Sequence, residues 1–189
     1  MSATTTPAAS ATARSVLGPR FMMRLVLAAA VALGIVAAAV GPRRAALGLT
    51  HMPAIHLHAP DVGLVAHAPL AIKLHLFAVM LAFTIGVALL IGVKGRAFHR
   101  TLGWVWVVAM MTGAVSSLFI RIINHGALSY IHLLAGWTIV ALPMAVFAAR
   151  THRVKAHARF MTGLFTGGLI LAGLLAFLPG RLMWQIFLG

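Results

Sequence analysis

The chain contains no cysteine among its 189 residues, and Asp61 is its single acidic residue. Without cysteine it can form no disulfide, thiolate metal site or iron–sulfur cluster. One carboxylate cannot supply the acid and base pair of a glycosidase, and an acidic proton relay within the membrane is excluded too. A Ser-His-Asp triad would need Asp61, which lies in a proline-rich loop. Many hydrolase and transporter mechanisms are therefore excluded.

Charged side chains of either sign are also scarce, at 8% of the residues against 62% hydrophobic. A soluble domain carries about 25% charged residues. Several apolar runs reach the roughly 20 residues that cross a bilayer, where every backbone polar group must be bonded internally. The runs are continuously apolar rather than alternating, which favours helices over a barrel. The sequence predicts an all-α integral membrane protein.

The apolar runs predict five transmembrane helices. Residues 1–20 read as a disordered tail, and 21–40 as the first transmembrane helix, although a charged segment before an Ala-rich run is also typical of a signal peptide. Residues 41–69 form a non-cytoplasmic loop with several His and Pro. Residues 70–182 form a four-helix transmembrane domain, and 183–189 an interfacial tail. The four spans of that domain are expected at about 70–93, 102–123, 127–149 and 160–178.

The basic residues indicate the orientation of the helices. The chain has 15 Lys and Arg, and they stand at the ends of apolar runs, so topology and anionic lipid explain them better than nucleic acid does. With the N-terminus inside, ten of them face the cytoplasm and five face the other side. This excess predicts a cytoplasmic N-terminus and a non-cytoplasmic C-terminus.

One motif occurs twice in the second half of the chain. His75 and His99 are 24 positions apart, and His132 and His157 are 25 apart. In each copy a His precedes an apolar run, a short basic turn and a second His. The predicted topology places His75 with His132 near one face of the membrane, and His99 with His157 near the other. The last four spans are therefore predicted to form a pseudo-repeated bundle.

Two such pairs fit bis-histidine coordination of heme b, which needs two axial imidazoles from facing helices. Arg100 adjoins His99, and Arg121 lies on a polar face of the third span. Both could contact heme propionates, and Arg121 could instead meet a quinone head group or a lipid phosphate. The alternative is that all four histidines lie at helix ends, where a His is tolerated without any cofactor.

The loop at 41–69 offers a second candidate site. His56 and His58 form an H-x-H pair, and imidazole is a common metal ligand. The alternative is a solvated loop that happens to contain His, because neither Cys nor a supporting carboxylate accompanies the pair.

The region from Ile72 to Leu182 resembles the bacterial membrane proteins grouped as domain of unknown function 2306. The resemblance lies in four blocks: KLHLFAVMLAF, KGRAFHRTLGWVWVVAM, SYIHLLAGWTIVALPMAVFAAR and KAHARFMTGLFTGGLILAGLLAFLPGR. It implies a helical protein of the bacterial inner membrane and brings no established activity. It does match the four histidines and Arg100 to one family pattern, which implies a common role for them.

Three functional hypotheses follow. The first is a small b-type heme-binding or quinone-linked electron-transfer subunit. The second is a non-catalytic accessory subunit of a larger membrane complex, bound to partners or lipid through its apolar helices. The third is a metal-handling membrane protein that uses the loop histidines and some of the ten Met residues.

Overall fold

The computed structural model describes residues 58–120, 130–177 and 181–188, together with 22, 23, 26, 27, 30 and 34 in an earlier helical segment. Regular structure in these ranges is helical throughout, which confirms the all-α class. The elements are α1 (Val62–Ala66), α2 (Leu70–Ile91), α3 (Ala97–Ser117), α4 (Tyr130–Arg150), α5 (Val154–Gly163), a π-helix (Leu164–Leu171), α6 (Ala172–Ala176) and α7 (Leu182–Phe187).

Three helices of the described ranges are long and apolar enough to cross a membrane: Leu70–Ile91, His132–Arg150 and Val154–Ala176. Helix α3 is as long as α4 but more polar, since its first turns carry His99 and Arg100 and its last turn carries two serines. The architecture is compatible with a membrane protein, as the composition predicts.

Two helical hairpins build the bundle. Helices α2 and α3 are joined by a tight turn at residues 92–96, where Gly95 has a φ of +82° that favours glycine. Helices α4 and α5 are joined at residues 151–153, where His152 takes the left-handed conformation with φ at 56°. Helix α3 packs on α4, and the π-helix packs on both α2 and α4. The four segments therefore close a ring around a common core.

Small residues let the helices approach closely. Ala82, Ala141 and Ala145 are fully buried, and they surround larger core side chains such as Trp106 and Phe165. Close approach of small residues is how helices gain packing energy in lipid, where no hydrophobic effect drives them together.

Large apolar side chains point away from this core. Leu133 is 77% exposed and Phe77 is 68% exposed, and Trp137 and Phe147 also face outward. Such a surface would be unfavourable in water, but acyl chains of a bilayer cover it without cost.

The C-terminal tail docks on the segment that precedes α2. The backbone N–H of Asp61 donates to the carbonyl of Ile186 at 3.1 Å, and Trp184 is buried. The Asp61 side chain accepts from the Gly63 N–H at 2.9 Å and so caps α1. The tail predicted at 183–189 is thus a short helix packed on the protein.

Two helices begin earlier than the expected spans. Helix α3 starts at Ala97 rather than near 102, and the last long helix starts at Val154 rather than near 160. A helix can extend beyond its apolar run, because backbone hydrogen bonding does not depend on hydropathy. Hydropathy therefore locates the apolar segment and not the residue at which the helix begins. As a result, His99 and His157 stand within helices.

Candidate functional site

His75 is fixed across the first hairpin by a hydrogen bond to the backbone of α3. Its Nδ1 lies 2.9 Å from the carbonyl oxygen of Gly113. A carbonyl can only accept, so Nδ1 carries the proton and donates it. The hydroxyl of Ser116 donates to the same carbonyl at 3.1 Å. In the neutral ring this arrangement leaves the lone pair on Nε2, the nitrogen that a metal would take.

His157 is held in the same way within the second hairpin. Its Nδ1 lies 3.0 Å from the carbonyl oxygen of Ala145 on α4, and it must again be the donor. In the first hairpin the His of the first helix reaches the second helix, and here the His of the second helix reaches the first. Two of the four repeat histidines therefore have their tautomer set by a main-chain carbonyl.

The relative heights of the helices follow from one close contact. A Cβ placed on Gly168 would lie 3.2 Å from Met110 Cε and 3.6 Å from Thr138 Oγ1, so α3, α4 and the π-helix meet at this level. Arg150 lies over Trp104, so an earlier residue of α3 meets a later residue of α4 than at the level of Met110 and Thr138. Helices α3 and α4 therefore run antiparallel. Helix α5 folds back from α4, so it runs parallel to α3.

This register places His99 and His157 at one end of the bundle. Each lies eleven residues before the contact level, His99 before Met110 and His157 before Gly168. Burial lowers the pKa of His99, and the positive charges of His157 and Lys94 lower it further. The two histidines therefore share one end of the bundle, on two helices that run in the same direction.

The same register places His75 and His132 at the opposite end. His75 is level with Gly113, three residues beyond Met110, and His132 lies six residues before Thr138 on the antiparallel helix. At about 1.5 Å per residue their heights differ by about 4.5 Å, less than one helical turn. His132 is buried, at 9% exposure, and His75 is half-buried.

The remaining predicted site residues are placed less centrally. Arg100 is exposed in the first turn of α3, beside His99. His58 is exposed, and its Nδ1 donates to the carbonyl of Ala59 at 2.8 Å. Arg121 and His56 lie outside the described residues, so the propionate contact of Arg121 and the H-x-H metal site stay predictions. Within the described ranges, no three His or acidic side chains are grouped as a metal site would require.

Two features of the bundle are not among the sites that the sequence predicts. Trp106 is 3% exposed, and its indole N–H has no hydrogen-bond partner among the described residues. A groove of about 310 Å³ lies between α3 and α4, with Arg150 and Trp104 at one end and Met111 at the other. Pro143, inside α4, also lines this groove. A proline within a helix removes a backbone hydrogen bond and favours a kink, so it is the one residue in the sequence that indicates irregular packing here. No pattern in the sequence indicates that Trp106, rather than Trp104, faces inward.

No family model, curated protein or solved structure matches the chain. The resemblance to domain of unknown function 2306 therefore stays a prediction, and the site has to be interpreted from its own geometry.

Proposed function

We propose that the chain is a small b-type heme-binding or quinone-linked electron-transfer subunit of the bacterial inner membrane. The observation that carries the proposal is the pair of hydrogen bonds from His75 Nδ1 to Gly113 and from His157 Nδ1 to Ala145. Metal-ligating histidines almost always donate their second nitrogen to a carbonyl or carboxylate, which fixes the ring and raises its basicity. Both of these rings already have that support.

The proposed ligand pairs are His75 with His132, and His99 with His157. The common height within each pair supports this assignment. A bound heme would supply reversible one-electron chemistry at its iron. The protein would hold His75 and His157 each in one tautomer and would bury His132.

Arg100 and Arg121 are proposed to neutralise heme propionates, one at each face. Arg100 is next to His99 and exposed, so its guanidinium can reach an anionic group at the bundle end. A planar guanidinium suits a carboxylate because it can donate two parallel hydrogen bonds.

The finer architecture belongs to the same proposal. The segment at 21–40 supplies the first of five transmembrane helices, and the two hairpins are the two halves of a pseudo-repeat. Each hairpin carries one His near the start of each of its helices, which supports the repeat. Basic residues collect at the two hairpin turns, which supports a cytoplasmic N-terminus and a non-cytoplasmic C-terminus.

An absorption spectrum of the detergent-purified protein, oxidised and then dithionite-reduced, tests the proposal. The protein should be produced with ample heme. A Soret band that sharpens on reduction, with resolved α and β bands, is the expected result for low-spin heme. A featureless spectrum would reject the heme-binding role and favour the accessory-subunit hypothesis.

Single substitutions then test the pairs. His75→Gln should lose about half of the bound heme, since only one of two pairs loses an axial ligand. His67→Ala and His152→Asn are matched controls, because each removes an exposed histidine at one end of the bundle. Asparagine suits position 152 because it tolerates the left-handed backbone. Equal heme loss in the controls and in His75→Gln would contradict the assignment.

A further inference from the structure

The groove between α3 and α4 has apolar walls and one cationic end. Val107, Met111, Leu142 and Val146 line its length. At its end the Arg150 guanidinium lies 5.8 Å from the centre of the Trp104 ring, a cation–π distance. Trp104 and Phe147, at 52% and 63% exposure, stand at its open edge. The groove is therefore accessible from the side of the bundle, where lipid would lie.

The cationic end has no acidic side chain to balance it. The two hairpin turns and the helix ends beside them carry seven cations: Lys94, Arg96, Arg100, Arg150, Arg153, Lys155 and Arg159. Asp61 carries the sole acidic side chain of the chain and lies at the opposite end, where its backbone N–H donates to the tail and its carboxylate caps α1. The anions that neutralise these seven charges must come from outside the chain.

We propose that the groove binds one acyl chain of an anionic phospholipid, with the lipid phosphate held by Arg150. The apolar walls match an acyl chain in chemistry, and the guanidinium at the end matches a phosphate in charge. An indole at this depth suits the interface between acyl chains and head groups. The inference rests on the membrane location of the bundle and not on heme.

An anionic lipid fits this groove better than a zwitterionic one. Each basic residue near a membrane surface favours anionic lipid, and here six further cations surround Arg150. A zwitterionic head group would bring its ammonium into this positive field. The site should therefore select phosphatidylglycerol over phosphatidylethanolamine.

Retained lipid measures this selectivity directly. The full chain, reconstituted in vesicles with equal phosphatidylglycerol and phosphatidylethanolamine, is extracted and washed with excess detergent. Mass spectrometry then counts each phospholipid per chain. The wild type should keep about one phosphatidylglycerol, and Arg150→Gln should reduce that amount about fivefold. Val146→Trp, which fills the groove and leaves every charge in place, should reduce it as well.

Arg153→Gln is the matched control. It removes the same charge from the same end, and Arg153 does not line the groove. Its retained phosphatidylglycerol should fall much less than that of Arg150→Gln, because Arg153 contributes to the positive field but does not line the groove. Equal losses in Arg150→Gln and Arg153→Gln would overturn the site in favour of general surface attraction. Equal retention of both lipids by the wild type, or a retained quinone in place of lipid, would overturn it too.

Discussion

Gly86 of α2 lies tightly against two aromatic rings of neighbouring segments. A Cβ at this position would lie 2.6 Å from two ring carbons of Phe165 and 2.8 Å from Trp106 Nε1. Both rings are in the packed core, so neither can move aside freely. Gly86→Ala should cost about 1–3 kcal/mol, which lowers the melting temperature by roughly 3–10 °C.

Gly136→Ala is the control for this measurement. A Cβ at Gly136 would meet nothing within 4 Å, and the residue lies inside α4. Alanine favours a helix over glycine, so this variant should be equal to the wild type or slightly more stable. The measurement is a thermal melt in detergent. An equal decrease in the melting temperatures of both variants would contradict the packing argument.

His99 should make stability depend on pH. Its pKa is lowered from the ordinary value of 6.5 by burial first, and then by His157 and Lys94. The unfolded chain therefore binds the proton more readily, so acid favours unfolding. The contribution of neutral His99 to the free energy of unfolding is fully present above pH 6.5, and it is lost as the pH falls through the folded-state pKa.

Melting temperatures at about pH 7.5 and about pH 5.5 check this direction. The wild type should melt at a lower temperature in acid, and His99→Gln should show a smaller drop. His152→Asn, at an exposed position of the α4–α5 turn, should keep the full drop. An unchanged drop in His99→Gln would show that another group carries the effect.

At the scale of single residues, the sequence identifies the histidines but not their partners. The spacing of His75 and His157 marks them as members of a repeat. Their acceptors, however, are main-chain carbonyls of Gly113 and Ala145, and every residue has such a carbonyl. Only the packing of one helix on another decides which carbonyl a ring will meet.

At the scale of elements, α7 is a short helix that is anchored to the rest of the protein by buried side chains. Trp184 is buried while its neighbour Gln185 is exposed, and Phe187 lies against Phe177 with ring centres 5.9 Å apart. Trp184→Ala should lower the melting temperature by about 10 °C, because truncation of a buried tryptophan costs about 3–5 kcal/mol. Gln185→Ala should change it little. Equal melting temperatures for Trp184→Ala and Gln185→Ala would mean that the tail does not stabilise the bundle.

The π-helix at Leu164–Leu171 has no counterpart in the sequence analysis. Its residues, LFTGGLIL, form an ordinary apolar run, and hydropathy is the same for an α-helix and a π-helix. Its wider turn is stabilised by tertiary contacts, such as the stacking of Phe165 on Phe83 at 5.8 Å. Periodicity predicts that a helix exists there, but its hydrogen-bond pattern depends on neighbours that are distant in sequence.

At the scale of the whole molecule, the absence of cysteine makes the topology measurable. Each introduced cysteine is the chain's sole thiol, so its labelling reports one position. Arg153→Cys in the α4–α5 turn should react with an impermeant maleimide in inside-out vesicles only. Gln185→Cys in α7 should react in right-side-out vesicles only. Labelling of both from the same side would contradict the proposed orientation.

The ring of four helical segments could be predicted only in part. The apolar runs and turns of the sequence predict two antiparallel hairpins, and the structure has them. Which hairpin face meets the other depends on small residues such as Ala82 and Ala145, which are common throughout the chain. A composition rich in alanine does not show which alanines will be buried.

The seven cations at one end of the bundle oppose any inversion of the protein across a membrane. To invert, the molecule would have to carry that whole end through the hydrocarbon layer. In the proposed orientation, with this end at the cytoplasmic face, the membrane potential opposes the outward movement of each of these charges by about 2.3 kcal/mol at 100 mV. Dehydration of the guanidinium groups would add to this barrier. After insertion each molecule should therefore keep its orientation in the membrane. A mixed population of opposite orientations could arise only during synthesis and insertion.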